Sequence, residues 1–244
     1  MTLPMPRAVV FDCDGTLADT QACVRTAVDE AFARRGRTCD RRFHAELCGL
    51  GLAALSARVA TMLDVSPVGL DRELLTTMVQ QAKRWAVTLP GARECAEATA
   101  ARLPVAIASN SPRLLLDATL TATGLSRLTS VTISADDVAR PKPAPDMYVQ
   151  ACRALSVCPC DAVAVEDSPT GITAARAAGM TVIGVGEHAR NAEADHWLPA
   201  LSPDTFHERG TLRSGAQAPT ATGSIFRRPP VTDAGTPLSR GAHG

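Results

Sequence analysis

A short apolar run that ends in two closely spaced carboxylates constrains the fold of this chain more than any other feature. Residues 8–11 are all apolar and carry two valines, a pattern typical of a buried strand. Asp12 and Asp14 follow two positions apart, so on an extended chain both side chains leave the same face. Gly15 lets the backbone turn sharply, and Thr16 adds a hydroxyl beside the carboxylates. In open α/β folds ligands bind beyond the carboxyl ends of strands, so this stretch predicts a binding site.

The charges of Asp12 and Asp14 need a balancing group, because two carboxylates this close repel each other. A cation, a shared proton or a base could balance them. A hard divalent cation with oxygen ligands is the simplest solution, and Mg²⁺ is the usual ion beside phosphates. An acidic turn that only caps the next helix, with Asp19 as N-cap residue, gives the same residues. The strand before the motif and the matching motifs downstream favour chemistry.

Length and composition indicate a folded globular protein. The chain has 244 residues, 45% of them hydrophobic, which suffices for one large domain or two smaller ones. Lys plus Arg equals Asp plus Glu at 25 each, so neither nucleic acid nor an acidic membrane is an expected partner. No apolar run approaches the ~18 residues of a membrane span, and no signal peptide is recognisable. We therefore expect a cytoplasmic protein without a disulfide framework. The oligomeric state is not predicted.

Residues 19–88 show helical periodicity in place of strand signals. Their apolar residues recur at spacings of three and four through four segments, which glycines and a Ser-Pro pair separate. Four short helices of this kind predict a small bundle with its own core. Because the bundle is inserted directly after the acidic strand, it should lie over the strand ends, where a lid excludes water. An inert helical appendage would give the same pattern.

A second apolar strand, residues 105–108, also ends in small polar residues. Ser109 and Asn110 follow it, and Pro112 marks the start of a helix. Ser109 and the backbone N–H groups after it could hold phosphate oxygens at that helix N-terminus. Simple N-capping by either polar residue fits equally well at this point.

Lys142 lies in a loop that three prolines stiffen, after a third strand at residues 131–134. A lysine held between prolines has lost conformational freedom, which indicates that its charge is used. It could neutralise a phosphoryl group or lock the acidic cluster. A plain solvated lysine is the alternative.

A fourth apolar strand, residues 162–165, again ends in carboxylates. Asp167 could supply a third protein oxygen to the metal, and Glu166 could hold a metal-bound water. Without the first motif this pair would be interpreted as an ordinary capping turn. A fifth strand at residues 181–185 and a short sixth at 194–198 complete the predicted sheet.

With four strand-end motifs in order, the chain resembles the haloacid dehalogenase superfamily. The matching residues are Asp12-Cys13-Asp14-Gly15-Thr16, Ser109-Asn110, Lys142 and Glu166-Asp167. A helical insert between the first two motifs is similar to the type I cap of β-phosphoglucomutase-like and sugar-phosphate phosphatases. The resemblance implies an α/β fold with a Rossmann-like parallel sheet core, residues 1–18 and 89–202, and an inserted α-helical cap, residues 19–88. Residues 203–244, rich in Pro, Gly, Ser and Thr, are predicted to be disordered.

The resemblance also implies a Mg²⁺-dependent phosphatase, a phosphoric monoester hydrolase whose partner is a small phosphorylated metabolite such as a sugar phosphate. Asp12 would be the nucleophile that forms an aspartyl-phosphate, and Asp14 would be the acid and base. The implied Mg²⁺ ligands are Asp12, Asp167 and the backbone carbonyl of Asp14, with Glu166 in support. The residues implied to bind phosphate or stabilise its charge are Thr16, Ser109, Asn110 and Lys142.

Two alternatives remain at this point. A phosphohexomutase of the β-phosphoglucomutase type has a cap histidine near the first motif and a basic cap loop, whereas residues 20–24 contain no histidine and residues 47–52 carry no charge. Both departures favour hydrolysis. A receiver-like phospho-acceptor combines an aspartate cluster with a lysine, but it lacks a helical cap. The substrate is not predicted, because the cap loop has few distinctive polar groups.

Overall fold

A computed structural model describes residues 5–47 and 49–206. In chain order the helices and strands are β1 (Ala8–Phe11), β2 (Ala18–Asp19), α1 (Gln21–Ala33), α2 (Arg41–Glu46), α3 (Leu52–Leu63), α4 (Leu70–Trp85), β3 (Val87–Thr88), α5 (Ala92–Ala100), β4 (Val105–Ala108), α6 (Arg113–Thr123), β5 (Thr132–Ile133), α7 (Asp146–Ala154), β6 (Ala162–Glu166), α8 (Pro169–Ala177), β7 (Thr181–Val185) and β8 (His196–Leu198).

A parallel sheet of six strands forms the centre of the fold, in the order β5-β4-β1-β6-β7-β8. Phe11 at the end of β1 pairs in register with Ile107 of β4 and with Val165 of β6. The three strands therefore end at the same edge of the sheet, and the polar residues after each of them emerge together. This topology confirms the predicted Rossmann-like α/β fold.

Helices cover both faces of the sheet, which explains why its central strands β1 and β4 are apolar at every position. On one face, Val9 and Phe11 pack against α5 and α6 in one hydrophobic cluster. On the other face, Ala8 and Val10 pack against α7 and α8 in a second cluster. The central strand β1 is thus completely buried, and the loop that follows it carries the polar residues of the first motif.

The helices α1–α4 pack around a third hydrophobic cluster, which two residues of α6, Leu115 and Ala118, also join. The chain enters and leaves this bundle through a two-stranded antiparallel ribbon in which Ala18 pairs with Thr88. Sequence patterns missed β2 and β3 because two-residue strands show no periodicity. The predicted boundaries at 18–19 and 88–89 fall inside this ribbon, and the division into core and cap stays a proposal that the separate cluster supports.

The predicted disordered tail begins too early. Thr205 is buried, and the ring of Phe206 meets the ring of Phe11 edge-on at 6.3 Å between centroids. The Phe206 ring, the hydrogen bonds between Thr205 and Ser202, and the bond from Arg102 to the Phe206 carbonyl hold residues 203–206 on the core. The rest of the predicted tail, from residue 207, lies outside the described residues.

Two further expectations concern the chain as a whole. The cysteines in the part of the chain that the structure describes are free thiols, in agreement with the expectation of no disulfide framework. Among the described residues, none of the helices combines the length and the apolar character that crossing a bilayer requires.

The helical bundle provides a stability test at Leu74, which is fully buried in its cluster. Leu74→Ala should lower the free energy of unfolding by about 2–5 kcal/mol, because it removes buried methyl groups and leaves a cavity. Leu114→Ala, at a side chain that is 66% exposed, should change it by less than about 0.5 kcal/mol. Urea unfolding of the two variants measures both values, and equal effects would contradict the bundle's packing.

Candidate active site

The ammonium group of Lys142 is buried at the carboxyl edge of the sheet. Its Nζ donates to Asp12 Oδ1 and to Glu166 Oε1, each at 2.6 Å, and to the carbonyl oxygen of Ala108 at 2.9 Å. These three bonds use all three donors of the ammonium group. Residues at the carboxyl ends of β1, β4 and β6 therefore meet at one cation.

The electrostatic environment changes the pKa of both groups in the central pair. Burial alone would lower the pKa of Lys142, but the negative charges of Asp12 and Glu166 raise it well above its ordinary value. Burial, and after it the charge of Glu166, raises the pKa of Asp12 well above the ordinary value, although Lys142 counteracts this. Lys142 thus stays charged. Its charge does not fully offset the effect of burial and of Glu166 on the Asp12 carboxylate.

Glu166 is fully committed to holding this arrangement. Its Oε1 also accepts from the Tyr148 hydroxyl at 2.7 Å, and its Oε2 accepts from the backbone N–H and the hydroxyl of Ser168. These contacts fill the four lone-pair sites of the carboxylate. This favours a supporting role for Glu166 over a direct metal bond. A Cβ at Gly171, in the first turn of α8, would overlap this carboxylate, so the close approach requires glycine there.

Asp14 points to a different set of groups. Its Oδ1 accepts from the Thr20 hydroxyl at 2.8 Å, and its Oδ2 accepts from the hydroxyls of Ser109 at 2.5 Å and Ser111 at 2.9 Å. Ser109 is fully buried, and its Oγ also accepts from the backbone N–H of Ser111. Ser109 therefore orients Asp14 and closes a local turn, and it does not line the cavity. Ser111, which sequence reasoning left out, does line it.

Asn110 and Thr16 also differ from simple phosphate ligands. The side-chain amide of Asn110 makes two hydrogen bonds to the backbone of Lys142. Its Nδ2 donates to the carbonyl oxygen at 3.1 Å, and its Oδ1 accepts from the N–H at 2.9 Å. Asn110 thus clamps the proline-rich loop and still lines the cavity. Thr16 is buried beneath the loop, outside the cavity lining, and its Oγ1 has no hydrogen-bond partner among the described residues.

Three carboxylates at this edge could hold a metal ion. One oxygen each of Asp12, Glu166 and Asp167 lie within 4.8 Å of one another. The Asp12 Oδ2 atom is buried and without a hydrogen-bond partner in the described chain, so it is free for a cation or an electrophile. Burial, and next the charge of Glu166, raises the pKa of Asp167 to about 7. Against one lysine, three carboxylates leave two negative charges in excess, which suits a divalent cation. The side chain of Asp14 lies outside this cluster.

A cavity of about 1050 Å³ extends from Asp12 to the helical bundle. The residues from α1 and α2 that line it include Gln21, Arg25, Asp29, Arg41 and His44. The expectation that the cap offers few distinctive polar groups was based on the loop 47–52 alone. The polar residues of the cavity wall come from α1 and α2. No motif marks such residues in the sequence, because only the packing of α2 on α1 places them beside the strand ends.

Comparison with known proteins agrees with this geometry. A sequence profile of the haloacid dehalogenase-like hydrolases matches residues 6–179, a range that includes all four motifs. The chain belongs to this family. The prediction of the family and of an enzyme is therefore confirmed.

Relatives within the family include a named phosphatase. Validoxylamine A 7'-phosphate phosphatase of Streptomyces hygroscopicus subsp. limoneus is 34% identical over 203 residues, which cover 81% of this chain and 95% of that protein. Protein CbbY of Rhodobacter capsulatus is 33% identical over 220 residues, 80% of this chain and 94% of that protein. A crystal structure of CbbY from Rhodobacter sphaeroides in complex with phosphate has a TM-score of 0.69 and 31% identity over 80% of this chain and 95% of that chain. The enzyme class of this hydrolase is phosphoric monoester hydrolase.

The buried charge pair gives a stability prediction for this hydrolase. Lys142→Met should lower the free energy of unfolding by about 3–5 kcal/mol, because it leaves the carboxylates of Asp12 and Glu166 buried without their cation. Lys83→Met, at an exposed lysine of α4, is the matched control and should stay within about 0.5 kcal/mol. Chemical unfolding without added metal measures both free energies. If Lys142→Met lost no more stability than Lys83→Met, the ion pairs of Lys142 would not stabilise the fold.

The close approach at α8 gives a second prediction. Gly171→Ala should destabilise the protein by about 1–3 kcal/mol, because the new Cβ displaces the Glu166 carboxylate. Thr173→Ala places the same residue at an exposed position of the same helix and should change stability by less than about 0.5 kcal/mol. Thermal unfolding of both variants checks the difference, and a neutral Gly171→Ala would mean that Glu166 has room to move.

Proposed function

We propose that this protein is a Mg²⁺-dependent phosphatase that hydrolyses a small phosphomonoester, with a sugar phosphate as substrate class, through an aspartyl-phosphate on Asp12. The observation that carries the proposal is the state of the Asp12 carboxylate. Its Oδ1 is held by Lys142, whereas its Oδ2 is buried without a hydrogen-bond partner among the described residues, at the base of the cavity. An oriented carboxylate with one free oxygen is the group that nucleophilic phosphoryl transfer requires.

In the first step, Asp12 Oδ2 forms a bond to phosphorus while the bond to the leaving oxygen breaks. Lys142 lies 2.6 Å from Oδ1 and stabilises the negative charge at this edge. In the second step, a water molecule attacks the aspartyl-phosphate, which releases inorganic phosphate and regenerates the carboxylate. The rigid positions of Asp12 and Lys142 supply orientation, which is the main contribution a protein makes to phosphoryl transfer.

Asp14 is the proposed acid and base, and it lines the same cavity. It would give a proton to the leaving oxygen and later take one from the attacking water. Three hydroxyl donors occupy three of the four lone-pair sites of its oxygens, one on Oδ1 and two on Oδ2, so the second site on Oδ1 is left for the proton. One donor is Thr20, directly before α1, so movement of the helical bundle would change the environment of Asp14.

Asp12 and Asp167 are the proposed metal ligands, because each has a carboxylate oxygen in the cluster. Asp12 would hold the ion through Oδ1, which leaves Oδ2 free to attack phosphorus. Oxygen donors alone suit Mg²⁺ better than softer metals. A bound Mg²⁺ would supply positive charge against the transferring phosphoryl group. Glu166 then keeps Lys142 and the start of α8 in place, and it excludes water from the buried side of the site.

The substrate class rests on the relatives and on the cavity. The curated relatives include a validoxylamine A 7'-phosphate phosphatase and an Escherichia coli fructose-1-phosphate phosphatase, and the latter is 29% identical over 179 residues. Both names describe phosphorylated substrates with several hydroxyl groups. The volume and the polar α1–α2 lining of the cavity suit such a substrate.

Neither alternative function is favoured by a residue of the site. A mutase of that type has a histidine beside the first motif, whereas the cavity-lining residues of the segment 20–24 are Thr20, Gln21, Cys23 and Val24. The β-phosphoglucomutase neighbours are 23% and 21% identical, so they show the fold alone. A receiver-like phospho-acceptor has no counterpart to the helical bundle over the site.

Replacement of the nucleophile tests the mechanism. Asp12→Asn should lower phosphatase kcat by at least about 10³-fold on sugar phosphates and phosphoglycolate, because an amide oxygen is a poor nucleophile. Release of inorganic phosphate with saturating Mg²⁺ measures the effect. Asp64→Asn changes an exposed carboxylate at the C-cap of α3 and should keep full activity.

Turnover by Asp12→Asn at the rate of the unchanged protein would disprove the covalent mechanism. The same panel should include β-glucose 1-phosphate with and without a sugar bisphosphate. Formation of glucose 6-phosphate that depends on the bisphosphate would instead identify a mutase.

The raised pKa of Asp167 gives a pH prediction. The pKa of Asp167 is about 7 in the folded, metal-free protein, above the ordinary aspartate value. As pH rises, the unfolded chain therefore loses this proton at a lower pH than the folded protein does. The stability that the proton contributes is therefore present at low pH and is lost as pH rises through about 7. Mg²⁺ binds the ionised form, so stabilisation by Mg²⁺ should increase over the same interval.

Thermal unfolding with and without millimolar Mg²⁺, at a series of pH values from acid to alkaline, measures the stabilisation by Mg²⁺. Asp167→Asn should abolish both the Mg²⁺ stabilisation and its pH dependence, whereas Asp64→Asn should keep them. A Mg²⁺ effect that is equally large at low pH would contradict Asp167 as a ligand.

A further inference from the structure

A cluster of three different metal-ligating side chains lies in the helical bundle, away from the carboxylates of the catalytic edge. One ligand atom each of Asp29, Cys39 and His44 lie within 4.8 Å of one another. Asp29 is on α1, Cys39 is in the connection to α2, and His44 is on α2. All three line the large cavity. The set combines a carboxylate, a thiol and an imidazole, so it differs in kind from the all-oxygen cluster of Asp12, Glu166 and Asp167.

The packing of α2 on α1 fixes this cluster. The rings of Phe32 and Phe43 are 5.8 Å apart between centroids, and both side chains are buried. Phe43 directly precedes His44, and Phe32 is three residues after Asp29, so the ring contact brings the imidazole over the carboxylate. His44 Nε2 and Asp29 Oδ1 are 2.9 Å apart, with the imidazole side chain only 14% exposed.

The third member is held by the cap of α2. The Asp40 carboxylate accepts from the Phe43 backbone N–H at 2.8 Å, which fixes the start of the helix directly after Cys39. The Cys39 thiol makes one weak contact to a backbone carbonyl, at 3.7 Å. The carboxylates of Asp29 and Asp40 lie close enough to the thiol to act on it electrostatically, and their negative charge favours a cation beside the sulfur.

We propose that Asp29, Cys39 and His44 form a binding site for a divalent transition-metal ion of the Zn²⁺ class in the wall of the cavity. Zn²⁺ accepts sulfur, nitrogen and oxygen ligands together, whereas Mg²⁺ prefers oxygen alone. Bond lengths of about 2.0–2.3 Å place tetrahedral ligand atoms about 3.3–3.5 Å apart. The His44 and Asp29 atoms, now 2.9 Å apart, would separate slightly, and the sulfur, which lies within 4.8 Å of both, would approach by no more than about 1.5 Å. The ion takes the place of the hydrogen between His44 and Asp29, so that the neutral imidazole keeps its proton on Nδ1, and it displaces the Cys39 thiol proton to solvent.

Such an ion would have two physical consequences. It would tie the connection between the helices, and α2 itself, to α1, so the wall of the cavity would become more rigid. Three protein ligands also leave a tetrahedral ion one open position, which a water molecule or a ligand in the cavity can fill. The ion takes no part in the phosphoryl-transfer step itself, so its binding can be tested without an activity assay.

Cobalt absorption spectroscopy tests the proposal. The full-length protein is used with Cys158→Ser and Cys160→Ser, because these two exposed thiols could bind metal themselves. Addition of Co²⁺ should produce a thiolate-to-cobalt charge-transfer band that saturates at one equivalent. Zn²⁺ should abolish the band by displacement, and Mg²⁺ in large excess should not.

Substitutions assign the band to this site. Cys39→Ser should abolish it, and Asp29→Asn should weaken Co²⁺ affinity about tenfold or more. Cys23→Ser, at another cysteine of the same cavity, is the matched control and should keep the band. Circular dichroism confirms that each variant is folded, and if Cys39→Ser is not, the affinity of Asp29→Asn decides.

The proposal is overturned if Co²⁺ gives no charge-transfer band, if the band survives in Cys39→Ser, or if Asp29→Asn binds Co²⁺ as tightly as the parent protein.

Discussion

The position of the Lys142 ammonium group between Asp12 and Glu166 is the interaction on which the rest of this structure depends. A buried charge is costly unless it is paired and its hydrogen bonds are complete. Here both carboxylates and the carbonyl oxygen of Ala108 use all three donors. These partners come from the ends of three neighbouring strands, so one cation fixes the relative positions of the loops that form the site.

That single cation cannot balance the whole edge of the sheet. Asp12, Glu166 and Asp167 together carry three negative charges when ionised, and burial opposes their ionisation. The result is a site that is incomplete without further positive charge. The negative excess that destabilises the ionised, metal-free protein would attract a divalent cation, and in the proposed mechanism that cation offsets the negative charge of the transferring phosphoryl group. Stability and chemistry are therefore coupled through the same carboxylates.

Local patterns were sufficient to predict the elements that hold the site. Strands buried on both faces have continuous apolar runs, so the central strands of the sheet were visible from residues 8–11, 105–108 and 162–165. The polar residues after each run could then be placed at one edge by topology. The roles of individual residues within the site were harder to predict from the sequence. Asn110 and Ser109 were predicted to face a phosphate, but one clamps the Lys142 backbone and the other orients Asp14.

The sequence by itself determined the parallel sheet, the inserted helices, and the four motifs with Asp12 and Lys142 among them, because these depend on period and spacing along the chain. Only the tertiary structure decided that Tyr148 and Ser168 fill the lone pairs of Glu166, that Phe206 extends the core, and that α1 and α2 supply the polar wall of the cavity. These contacts join residues that are distant in sequence or carry no motif. They follow from the geometry of packed elements, and no local pattern of residues encodes them.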